Sequence, residues 1–101
     1  MKNIRLRYDA YKILKSNIED LTLEKIIYKT IRELTLQHKI EWITLDNILI
    51  IVTSLMDEKI SEKWANELAS ATKTIETHGF LELREITLGH FSRAICVRLI
   101  K

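Results

Sequence analysis

Ile75-Glu76-Thr77-His78-Gly79-Phe80-Leu81-Glu82-Leu83 changes its hydrophobic period partway along. Upstream of it, Trp64, Leu68, Ala71, Thr72 and Ile75 recur at three- and four-residue intervals, which places them on one face of a helix. Downstream, Leu81-Glu82-Leu83-Arg84-Glu85-Ile86 alternates with the period of a strand. Gly79 stands at the switch, where a residue free to adopt positive φ can close a helix. Ser61 is suited to be the N-cap of that helix. The pattern predicts a helix over 61–78 that runs directly into a strand.

Arg93-Ala94-Ile95-Cys96-Val97-Arg98-Leu99 also alternates, and Thr87 to Ser92 surrounds Gly89, the second glycine of the chain. The two runs predict a hairpin with a loop over 87–92. Phe91 reads either as a tip aromatic or as a core plug under the hairpin. On the other side, Met56-Asp57-Glu58-Lys59-Ile60 reads as a tight turn with Ile60 closing the core. Before it, Thr44 caps a largely apolar helix through Leu45, Ile48, Leu49, Val52, Leu55 and Met56, expected to be the most buried. Ile40-Glu41-Trp42-Ile43 predicts a brief strand, with Trp64 placed in the core and Trp42 either in the core or a partner-facing anchor. Thr22 caps a further helix, whose stripe is Leu23, Ile26, Ile27, Ile31 and Leu34 and whose end is near His38-Lys39. Tyr11, Leu14 and Ile18 predict one more helix over about 7–18, while Ile4, Leu6 and Tyr8 alternate like an extended arm.

Composition agrees with one domain that buries a core: 101 residues, of which 47% are hydrophobic and 30% charged, with no proline. No run reaches the roughly 18 apolar residues of a membrane span. Met1-Lys2-Asn3-Ile4-Arg5 has no apolar segment behind it, so no secretory signal is expected. Cys96 is the single cysteine and cannot form an internal disulfide, which fits a cytoplasmic location. Its thiol has no base at recognisable spacing, so no nucleophilic role is expected. His38, His78, His90 and Cys96 are scattered, so no metal site is expected. No glycine-rich phosphate loop is present, and the chain is expected to be neither an enzyme nor a cofactor binder.

The predicted order is helix, helix, short strand, helix, turn, helix, hairpin. Together with the 75–83 junction, and with Ile60 and Leu68 before and within the 61–78 helix, it resembles the winged-helix family of helix-turn-helix domains over residues 21 to 101. The implied fold class is α+β, mostly α: a three-helix helix-turn-helix core and a C-terminal β-hairpin wing. Residues 1–20 would form an additional basic arm or helix. The resemblance implies a sequence-specific transcription regulator that binds double-stranded DNA. The 61–78 helix would enter the major groove, and the 84–93 wing would meet the backbone or minor groove. Two features depart from the family pattern. The helix is long, and it carries Glu62, Glu67 and Glu76, which phosphates repel.

At about 100° per residue, Glu62, Asn66, Ser70, Lys73 and Thr77 fall opposite the apolar stripe, flanked by Lys63 and Thr74. Asn66 could pair with adenine, Ser70 could reach a donor or an acceptor, and Lys63 or Lys73 could meet guanine or phosphate. In the wing, Arg84, His90, Ser92 and Arg93 are the candidates, arginine being favoured in a narrow minor groove. The same residue types also make an ordinary solvated surface. The charge balance is +2. Lys2, Arg5, Arg7, Lys12 and Lys15 face only Asp9 within the first sixteen residues, either as a solvated face or as a phosphate-contacting arm. Tyr8, Tyr11, Leu14 and Ile18 could pair with a second copy, giving a homodimer, or pack on the first. The alternative function is a winged-helix module that binds protein and no nucleic acid.

Overall fold

Every described helix begins at a hydroxyl. Thr22 Oγ1 accepts the backbone N–H of Lys25 at 3.3 Å and opens α1 (Leu23–His38). Thr44 Oγ1 accepts from Asn47 at 3.3 Å ahead of α2 (Leu45–Leu55). Ser61 Oγ accepts from Trp64 at 3.2 Å ahead of α3 (Glu62–Thr77). Each hydroxyl satisfies one N–H that a helix start leaves unpaired, worth about 1 kcal/mol. This computed structural model describes residues 22–90 and 92–101. The expected helix over 7–18, the 1–20 arm with its homodimer contact, and the placement of Phe91 lie outside the described residues.

Helices α2 and α3 end in the same motif. After α3, Gly79 N–H donates to Glu76 O at 2.9 Å and Phe80 N–H to Ile75 O at 3.3 Å. After α2, Asp57 N–H donates to Ser54 O at 3.2 Å and Glu58 N–H to Thr53 O at 2.8 Å. These paired bonds satisfy carbonyls at a helix end and require a left-handed residue, here Gly79 at φ 82° and Asp57 at φ 58°.

The strands β1 (Trp42–Thr44), β2 (Leu81–Leu88) and β3 (Ser92–Leu99) form an antiparallel sheet in the order β1-β3-β2. Ile43 pairs with Val97, and Val97 with Leu83. Paired residues share a face, so Ile43, Val97, Leu81, Leu83 and Leu99 turn toward the helices. Against them pack Ile27 and Ile31 of α1, Ile48, Ile51 and Val52 of α2, and Leu68 and Ile75 of α3, all buried. Thr30, Thr53 and Thr72 are buried too. Each donates its hydroxyl to the carbonyl four residues earlier at 2.7 Å, so none is left without a partner. The result is an α+β fold with three described helices on one face of a three-stranded sheet.

Three expectations need correction. Ile60 does not close the core but is 58% exposed, because the link from α2 to α3 carries it outward. The hairpin loop is shorter than 87–92, since Thr87 pairs with Arg93 and Leu88 with Ser92. Trp42 is half-buried but lies outside the core. Its neighbour Ile43 takes the inward position, and alternation puts the indole on the far side of the sheet. The short strand itself is Trp42–Thr44, two residues later than its expected start.

Candidate functional site

Helix α3 is held from one side. Leu68, Ala71, Thr72 and Ile75 are buried, and Trp64 is half-buried against the same core. Lys63, Asn66, Ser70, Lys73, Thr74 and Thr77 are all exposed on the other side, as their spacing predicts. They form a polar strip along the four turns of the helix.

The strip differs from a plain row of donors. Lys73 Nζ lies 2.9 Å from Glu76 Oε1, one helical turn on. That contact, chiefly as a hydrogen bond, lowers the Glu76 carboxyl below its ordinary pKa, with a smaller contribution from the Leu83 backbone N–H. Glu76 therefore occupies the charge of Lys73. Lys63 has no ion pair to another described residue, and its ammonium sits 5.6 Å from the centre of the Trp64 ring. Thr74 donates to Ser70 O at 3.1 Å and Thr77 to Lys73 O at 2.9 Å, which leaves both hydroxyl oxygens able to accept. His78 Nδ1 lies 2.8 Å from Thr74 O, an atom that only accepts, so Nδ1 carries the proton.

The hairpin candidates do not form one cluster. Register places Arg84 opposite Cys96, and Arg93 opposite Thr87. Arg84 and Ser92 thus share the face away from the helices, whereas Arg93 shares the face of Leu81 and Leu83. His90 lies in the exposed turn. Arg93 is engaged by Glu85 at 3.3 Å. Arg84 sits 4.0 Å from Glu82 and stacks over Trp42, its guanidinium 4.8 Å from the ring centre.

Arg98 was not a sequence candidate, yet its guanidinium also lies over Trp42, 5.0 Å from the ring centre, and bonds Glu82 and Glu41. Cys96 lies on that face as well and is buried. Strand alternation was only a partial signal: it sets Glu82 with Arg84 and Cys96 with Arg98 on one side of their own strands, and the register then brings both sides to Trp42. Among the described residues no helix is long and apolar enough to cross a membrane, and no cluster of three or more His, Cys, Asp or Glu could hold a metal ion.

No protein-family model, no curated protein and no solved structure matches the chain.

Proposed function

We propose that the chain is a winged-helix domain that binds double-stranded DNA as a transcription regulator. In this reading α3 lies in the major groove and the β2–β3 hairpin is the wing. The observation that carries it is the one-sided burial of α3. A helix anchored by Leu68, Ala71 and Ile75 presents Asn66, Ser70, Thr74 and Thr77 to solvent over four turns. A polar helix face of that length can enter a major groove and address base edges. The link from α2 to α3 and the hairpin directly after α3 support the same arrangement. The cations nearest the groove would be Lys63 and Lys73, and the wing would contribute Arg84 and Arg93 together with the polar His90 and Ser92.

A second reading, a module that binds protein, is favoured by charge. Residues 22–101 hold eleven Lys and Arg against eleven Asp and Glu, and α3 holds two lysines against three glutamates. Neutral surfaces gain little from counterion release on a duplex.

Selection of the full chain on random duplexes separates the two. The DNA reading expects an enriched motif and an affinity that falls with salt. It further expects Asn66→Ala to relax one position of that motif, at a cost of about 1–3 kcal/mol. Absence of any enriched sequence at low salt defeats the DNA reading and leaves the protein-binding one.

A further inference from the structure

The side of the sheet turned away from the helices carries a compact group of aromatic and charged side chains. Trp42 is the cross-strand partner of Arg98, and Arg98 in turn pairs with Glu82. In the next row on this side, Thr44, Cys96 and Arg84 stand opposite one another. Two guanidiniums lie over the Trp42 ring, Arg84 at 4.8 Å and Arg98 at 5.0 Å from its centre. Glu82 and Glu41 both bond Arg98. No described helix packs on this side, and Trp42 is only half-buried there.

The outermost charges of the group remain open to water. Glu41 keeps 70% of its side chain exposed and Arg84 61%, and Arg84 reaches Glu82 only at 4.0 Å. Exposed ion pairs of that kind contribute little to stability. Tryptophan and arginine are the residues that most often carry binding energy once a partner covers them. The sign of the charge restricts that partner. Two arginines against two glutamates leave the patch neutral, so a nucleic-acid backbone gains nothing from it. A neutral patch whose two signs are separated matches a surface with the same pattern.

We propose that the partner is a second copy of the chain, packed sheet against sheet about a two-fold axis. Register supplies the geometry. Glu41 immediately precedes β1, on one edge of the sheet. Arg84 lies in β2 on the other edge, in the row of Thr44. The two charges therefore occupy opposite corners of the patch, with Cys96 and Arg98 of the central strand between them. A two-fold axis lying between the sheets and crossing that diagonal sets each Glu41 against the partner's Arg84, so one contact is made twice. Strands of eight residues give a face about 26 Å long, and three strands span about 10 Å between outer axes. That footprint is small for a permanent dimer, so the association is weak and reversible. Helix α3 and its polar strip lie on the opposite side and stay free, so the contact does not rest on the DNA reading. If both hold, Arg84 serves the second copy, while Arg93 and His90 remain for the wing.

Sedimentation equilibrium of the full chain at low salt, from about 10 µM to about 1 mM to cover a weak contact, tests this. The native chain should show a monomer–dimer equilibrium. Arg84→Glu and Glu41→Arg should each weaken it by at least about tenfold, since like charges then face each other. Both positions are exposed, so neither change should disturb the fold, which far-UV circular dichroism checks. Mixing the two variants in equal amounts should restore association, because every corner again joins opposite charges. A native chain that is monomeric at every concentration overturns the proposal. Dimers that both variants leave intact assign the contact to another surface and overturn it too. Loss in both variants with no recovery on mixing rules out the Glu41–Arg84 pairing, and the two-fold arrangement falls with it.

Discussion

Asp57 and Gly79 occupy the same left-handed position in successive helix ends, and they pay differently for it. At Gly79 an added Cβ would meet no atom within 4 Å, so crowding is absent and only the dihedral matters. Gly79→Ala is expected to lower stability by about 1–2 kcal/mol, the cost of a left-handed L-residue. Asp57→Gly removes part of that cost and is expected to add up to about 1 kcal/mol, offset by glycine's greater freedom in the unfolded chain. Urea unfolding of both variants checks the pair, and changes in the same direction would contradict the shared motif. Gly79 was legible in the sequence as a helix stop, because glycine is the usual residue there. Asp57 was read only as part of a turn, because aspartate is common in turns of many geometries. The core reading of Trp42 failed because hydrophobicity by itself says that a side chain is apolar, not which side of a three-residue strand it takes.

At the scale of one element, α3 was the most legible part of the chain. Its cap, its stop and its two faces all follow from periodicity, since a four-turn helix samples each face several times. The use of its charges was not legible, because ion pairs depend on side-chain reach. With Lys73 held by Glu76 and Lys63 lacking an ion pair to a described residue, the lysines should differ on DNA. Lys63→Ala is expected to reduce the salt slope by about 0.9 and Lys73→Ala by less, while Glu76→Gln frees Lys73 and tightens binding. Fluorescence anisotropy at several salt concentrations measures all three; equal losses for the two lysines would refute the distinction. Glu76 also sets an acid dependence. Its folded pKa is lowered by Lys73. Its stabilising effect is therefore full above the ordinary glutamate range and is lost as pH falls through the folded value. The stability gap between the native chain and Glu76→Gln should close across that acidic window in urea titrations, and a gap independent of pH would exclude the Lys73 contact as its source.

For the whole molecule, charge is divided unevenly along the chain. Five cations and three acids precede residue 22, and the described remainder balances at eleven against eleven, so the +2 excess resides in the first 21 residues. If the protein binds DNA, replacing Lys2, Arg5, Arg7, Lys12 and Lys15 with glutamine should flatten the salt dependence more than Lys63→Ala and Lys73→Ala combined. An unchanged slope would confine phosphate contact to α3 and the hairpin. Local periodicity alone established the three described helices, their caps and the hairpin, since each requires only contacts between residues a few positions apart. It could not assign the two sides of the sheet, where Arg84 and Arg93 part company and Arg98 reaches Trp42 across 56 positions of chain. Nor could it reveal the edge-to-face contact of Tyr28 with Phe80, ring centres 5.7 Å apart. Those arrangements exist only after β1 has paired with β3 and α1 has packed on α3, because strand register and helix docking join residues whose separation no local pattern records.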